Sequence, residues 1–374
     1  MIDQAMERQL ESAEAASGAS QLKMIVRRFR RHRLGMFGLV MIAIFYTIAI
    51  FADTIAPYDP LQRFSTAIHR PPQRIHFVDA EGNFSWRPFV YGSKSQLDMQ
   101  TFQRVYVEDT SKKHYIRFFV RGYPYKLFGL FPTDIHLFGV DEGGTLFLFG
   151  TDQLGRDMFS RIIHGARISL SIGLVGVLIS LVIGVLVGGI SGYFGGVVDE
   201  VTQRVIETLR SIPQIPLWLG LSAALPPDWS PLKVYFAITI ILSLLGWTYV
   251  ARVTRSKFIA LREEDFIVAA RAIGCTTSRV ILRHLIPAFA SYIIVAATLA
   301  IPGMILGETA LSFLGIGLRP PVVSWGVLLQ QAQNIAAVNT YPWLMLPAPF
   351  VILAVLAFNF VGDALRDAID PYSQ

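Results

Sequence analysis

Five windows of this 374-residue chain, residues 34–52, 168–198, 234–251, 285–307 and 320–362, contain no Asp, Glu, Lys or Arg. A helix of about 20 apolar residues spans the ~30 Å hydrocarbon core of a bilayer. A buried helix of a water-soluble domain seldom runs that far without a charge, and five such windows exclude a soluble globular fold. Composition agrees, with 53% hydrophobic and 16% charged residues against roughly 25% charged in an average soluble domain. The reading is an all-α polytopic membrane protein.

The charges between the windows organise the chain. Residues 1–33 form a polar tail, acidic at Glu7, Glu11 and Glu14, then basic at Lys23, Arg27, Arg28, Arg30, Arg31 and Arg33. The net charge of +6 therefore needs no nucleic acid partner; a basic cluster directly before an apolar span anchors it on the cytoplasmic side. The apolar run is too long and begins too late for a cleaved secretory signal, so 34–55 is expected as a retained first span. Residues 56–150 differ in character, being rich in charges and aromatics, with alternation over His114–Val120 and a turn at Asp141–Gly144. They are expected as a small, mainly β insert outside the cytoplasm. The remainder, 151–374, carries spans expected at 168–187, 199–225, 232–251, 286–314 and 343–362, giving six transmembrane helices with both termini cytoplasmic. The third is weakest: only 211–227 is free of charge, and an amphipathic run with Val201, Val205 and Leu209 precedes it.

The loop 252–284 carries seven Lys and Arg, again favouring the cytoplasm. Within it, Glu263, Glu264 and Asp265 suit the positive end of a helix dipole. Phe266, Ile267, Ala269, Ala270 and Ile273 follow as one apolar face, with Arg271 among them, and Gly274 is a helix stop. Thr276, Thr277 or Ser278 can cap a second helix that enters the membrane at Pro287. Two uses fit this short helix: docking on a partner and passing on its movement, or lying on lipid. If it docks, Ala270 belongs to the docking face, and an acid there should release the partner.

Other polar positions admit two readings. Asp152, Arg156 and Asp157 lie just outside span two and either gate an outer mouth or serve as caps and local ion pairs. Glu308, near the outer end of span five, either lines a path or satisfies neighbouring backbone. The aromatics of the insert are read as a small core. No lysine follows a glycine, so there is no phosphate-cradling loop. HExxH, CxxC and GxSxG are absent, and the histidines lack metal-ligand spacing. Neither a catalytic constellation nor a metal site is expected. An ion-coupled secondary transporter is the rival class, but it usually carries buried carboxylates near mid-membrane, where these spans are almost free of charge.

Several segments resemble a known family. Ala269-Ala270-x3-Gly274 with Pro287 resembles the cytoplasmic loop by which permease subunits of ATP-binding-cassette importers contact their ATPases; Val268 stands where a Glu is usual there. Gly150–Asp157 with Ser160-Arg161, Gly192–Gly196, Glu308–Gly315, Ser324-Trp325-Gly326 and Gly362–Asp367 resemble the dipeptide and oligopeptide permeases, which also include nickel permeases. The long insert is similar to the subgroup associated with oligopeptide and microcin C uptake. The resemblance implies a type I importer permease of the bacterial inner membrane moving peptides by alternating access. It also implies a second homologous permease subunit, two cytoplasmic ATPase domains that bind ATP and Mg, and a periplasmic substrate-binding protein, with no cofactor in this chain.

Overall fold

A computed structural model of the protein describes residues 23–97, 99, 104–141 and 143–369. The acidic stretch of the tail, Glu142 of the expected turn and the last five residues lie outside them.

Helix α1 (Arg33–Ile50) is the first span, opened by the His32 ring, which accepts from the Gly35 N–H at 3.0 Å. A single turn, α2 (Ala52–Ile55), follows. Helix α3 (Met158–Phe194) is longer than the expected second span at both ends. Its 37 residues reach about 55 Å at 1.5 Å per residue, well beyond the hydrocarbon core. Helices α6 (Pro231–Leu261), α8 (Ala290–Phe313) and α10 (Pro347–Ile369) complete the long apolar elements. Five helices of the described chain are thus long and apolar enough to cross a membrane.

The segment expected as one third helix is two: α4 (Gly196–Ser211) and α5 (Gln214–Ala223). Pro213 causes the break. A proline has no N–H to donate, and its ring forces the residue before it out of helical geometry; Ile212 is accordingly extended, at φ −82° and ψ 127°. At ten residues, α5 is about 15 Å long and cannot cross alone.

The packing of α3 on α6 depends on glycines four residues apart, which let helix backbones approach closely. A Cβ on Gly188 would sit on the Ala251 carbonyl oxygen, and one on Gly184 against Val250. The main core lies where α1, α3, α6, α8 and α10 meet a short helix, α9 (Trp325–Leu329). Trp325 is fully buried there, donating from its indole to the Ile162 carbonyl at 3.0 Å.

The insert is β as expected, but it is not a broad sheet. Strands β1 (His76–Val78), β2 (Phe84–Leu97), β3 (Arg104–Leu127) and β4 (Phe131–Val140) form an antiparallel meander. The first half of β3 pairs with β2 and the second half with β4. A half in which β1 adds a third strand and a two-stranded β3–β4 ribbon therefore run end to end, and the two-stranded ribbon cannot enclose a core. The expectation for the aromatics holds for some of them: Tyr58, Phe64 and Phe147 pack together, and Phe89 is buried against Tyr91. Trp86, Phe118, Phe119, Phe128 and Phe131 are exposed instead.

Candidate functional site

Helix α7 (Asp265–Ala272) forms where the acids lead into the apolar run. Glu264 is its extended N-cap residue, Asp265 sits in its first turn, and Glu263 pairs with Arg262 at 3.0 Å. All three acids are exposed. The stop is a two-bond reversal. The Gly274 N–H donates to the Arg271 carbonyl and the Cys275 N–H to that of Ala270, both at 3.0 Å, with Gly274 at φ +85°. Thr276 then caps the next helical stretch, its hydroxyl accepting from the Arg279 N–H at 3.4 Å. That stretch is not a plain α-helix: it passes through a π-turn (Val280–Leu285), then Pro287 in a short helical piece, and breaks at Phe289 before α8.

The two faces of α7 have different fates. Ile267 and Ala270 are buried against Phe258 of α6 and against Val280, Leu285 and Phe289 at the root of α8. Phe266, Ala269 and Ile273 fall on one outward stripe and are exposed. Ala270 therefore does not lie on an outward docking face. A strictly one-faced reading of the apolar residues missed that the helix is apolar on two sides, one used within the chain and one left open. Arg271 lies over the Tyr193 ring at 5.0 Å, tying α7 to the end of α3. Close by, Asp199 of α4 accepts from the Arg255 guanidinium and from the Ser191 hydroxyl. The Arg255 guanidinium holds the Asp199 carboxyl below its ordinary range despite partial burial. The ends of α3 and α6 and the root of α8 thus meet this short helix, and α4 is tied to α3 and α6 through Asp199. Asp199 and Arg255 were not singled out as a pair because 56 residues separate them.

At the other end of the bundle, Asp152, Arg156 and Asp157 form a closed knot, all buried. Asp152 accepts from the Leu154 and Arg156 backbone N–H groups at 2.8 and 2.9 Å and from Arg156 Nε at 2.8 Å, and it pairs with the buried Arg161. Burial alone would raise the Asp152 carboxyl, but Arg161 and Arg156 outweigh it and hold it below the ordinary range. Asp157 caps α3, accepting from the Ser160 N–H at 2.7 Å. Glu308 of α8 is fully buried and accepts from the hydroxyls of Ser169, Ser312 and Ser324 at 3.1, 2.8 and 2.7 Å. It fastens α8 to α3 and to the start of α9. All four residues are enclosed. Arg161, the centre of the knot, was passed over because a lone arginine in a helix carries no local signal.

An open space does exist beside the Pro213 break. A cavity of about 420 Å³ is lined by Arg210, Pro213, Trp218, Tyr249, Gly303 and Met304, among others. Among the described residues no group of His, Cys, Asp or Glu is placed to hold a metal ion.

Comparison with known proteins adds sequence relationships to this geometry. The family of binding-protein-dependent transport system inner membrane components matches residues 180–372, and the N-terminal TM domain of oligopeptide transport permease C matches residues 20–72. The oligopeptide transport system permease protein OppC of Bacillus subtilis is 39% identical over 224 residues, 60% of this chain and 71% of that protein. The dipeptide transport system permease protein DppC of the same organism is 38% identical over 223 residues, covering 60% and 68%. Among solved structures, the inward-facing MetNI methionine ABC transporter aligns at 21% identity over 56% of this chain and 97% of that one, with a TM-score of 0.41.

Proposed function

Since the chain belongs to the binding-protein-dependent transport system inner membrane components, as a permease subunit of a peptide ATP-binding-cassette importer, we propose that α7 is the element through which partner ATPases move it. One observation carries this reading. Among the described residues the helix leaves Phe266, Ala269 and Ile273 exposed on its outer side, while Ile267 and Ala270 lock it to α6 and the root of α8. A push on the outer stripe is therefore delivered to several spans at once. Lipid could also cover an apolar stripe, but the three acids at its start are poorly suited to an anionic surface.

In this proposal the chain sits in the bacterial inner membrane with both termini and the 252–284 loop in the cytoplasm. It pairs with a second, homologous permease, two cytoplasmic ATPase domains that hold ATP and Mg, and a periplasmic binding protein that meets the insert. Closure of the ATPases rocks α7, and the cavity beside Pro213 supplies part of the path as it opens to alternate sides. The cargo is an oligopeptide or a peptide antibiotic of the microcin C kind. Asp152, Arg156, Asp157 and Glu308 hold the outer end of the bundle rigid instead of gating it. Ion coupling would need a carboxylate facing a path, and Glu308 faces three serines.

Ala269→Asp tests the reading. The site is exposed, so the fold should keep its stability within about 0.5 kcal/mol. Covering the new charge with an ATPase surface should cost several kcal/mol, on the order of a hundredfold in affinity or more. The variant should reach the membrane at normal levels, lose its ATPases on purification and stop uptake. Stoichiometric ATPases on Ala269→Asp, with normal uptake, would make α7 a lipid-surface helix.

A further inference from the structure

The β3–β4 hairpin ends in a tip whose apolar side chains stay mostly exposed among the described residues. Phe128, Leu130 and Phe131 are 58%, 73% and 64% exposed. Two turn hydrogen bonds, from Gly129 N–H to the Lys126 carbonyl and from Leu130 N–H to that of Leu127, hold them at the apex. No Asp or Glu occurs between Lys126 and Pro132.

The position of this tip is fixed by contacts with the first span. The Phe128 ring lies 5.7 Å from that of Phe51, the residue directly after α1. Just above, the Tyr123 hydroxyl donates to the Asp53 carbonyl at 3.4 Å and the Tyr125 hydroxyl to Thr54 Oγ1 at 2.9 Å. The other end of β4 lies farther out. Phe138 packs on Phe159 of α3, whereas it is Arg167, one helical stretch of about 12 Å deeper along α3, that donates to the Ala49 and Ile50 carbonyls at the end of α1. Strand β4 thus descends from Phe138 toward the tip, and the tip is the part of the ribbon nearest the hydrocarbon boundary. Ile50 and Phe51 are themselves exposed on the outside of the bundle, so the apolar tip continues the lipid-facing surface of α1.

We infer that this tip is a membrane foot: Phe128, Leu130 and Phe131 enter the lipid interface of the leaflet in which the first span ends, with Tyr123 and Tyr125 at headgroup level. Aromatic rings with a polar end are enriched at that depth, and Lys126 is suited to anionic headgroups. A protein partner would have to reach a patch already level with the lipid. The foot would fix the tilt of the insert relative to the spans. It depends on the spans and not on the transport reading, and it holds whichever side the insert occupies.

The test is a nitroxide at position 130 (Leu130→Cys) in a Cys275→Ser background, which removes the chain's only cysteine. The comparison is Trp86→Cys on the other ribbon, where the native residue is 89% exposed. Both are labelled in the assembled complex in phosphatidylethanolamine–phosphatidylglycerol vesicles, and collision rates with oxygen and with a water-soluble nickel chelate are compared. At 130 the oxygen-to-nickel ratio should be at least severalfold that at 86. A label at 130 as open to nickel as that at 86 would place the tip in water. A label shielded from both reagents would place it against protein. Either result overturns the inference.

Discussion

The two oxygens of Asp157 are treated differently: Oδ2 accepts from the Ser160 N–H, while Oδ1 is buried with no hydrogen-bond partner among the described residues. Burial raises its carboxyl to about 7, against the lowering effect of Ser160. A carboxyl raised in the folded state adds stability below its unfolded value, and that stability is lost as pH rises through the folded one. Asp157→Asn keeps a capping oxygen and cannot ionise. Its stability relative to the parent chain should improve from about pH 4 upward and level off above about pH 7. The change between pH 5 and 7.5 should be on the order of 2 kcal/mol, measured by thermal unfolding in detergent. A pH-independent difference would contradict the assignment. Asp152 and Arg156 were legible as a local pair because they lie four residues apart; Arg161 and Glu308 were not, since Arg161 meets Asp152 across nine residues and two of the three Glu308 partners come from outside its helix. The three serines around Glu308 are 139, 4 and 16 residues away, and only Ser312 lies within a helical turn of it.

Helix α7 was readable as an element because its start, apolar run and stop are all local. Acids, alternating burial and a glycine lie within twelve residues, and Gly274 adopts the left-handed conformation its position implied. Which apolar residue faces which neighbour was not local, and so Ala270 was misplaced. Ala270→Asp should therefore act on the fold of the loop: a charge against Phe258 and Val280 should cost several kcal/mol and lower the amount of intact subunit. Gly274→Val, a branched residue forced to φ +85°, should cost about 1–2 kcal/mol and loosen the ATPases mildly. The two variants separate by membrane abundance, which should fall for the first and hold for the second. The four-residue glycine spacing in α3 was present in the sequence and went unused. Gly188→Leu should force α3 off α6 and cost more than about 3 kcal/mol by overpacking, seen as loss of folded protein; normal yield would mean that the helices are not this close. The break at Pro213 shows the opposite error, an amphipathic period read through a proline that stops it.

At the scale of the molecule, the membrane character was the most legible property, since absence of charge over five windows needs no tertiary information. The ribbon architecture of the insert was not legible, because β3 changes partner midway and strand register is set by residues far apart in sequence. In the proposed reading, spans, knot and α7 act together, with buried polar residues at Asp152 and Glu308 toward one end and, at the other, a short helix packed on the ends of α3 and α6 and the root of α8. On that reading, this permease is driven through α7 by ATP hydrolysis in partner subunits. Uptake of a labelled peptide series into vesicles carrying the complete complex tests this directly. The account predicts uptake that requires ATP inside the ATPase-facing compartment, stops with vanadate and survives an uncoupler. Uptake that survives vanadate and collapses with the uncoupler would contradict it.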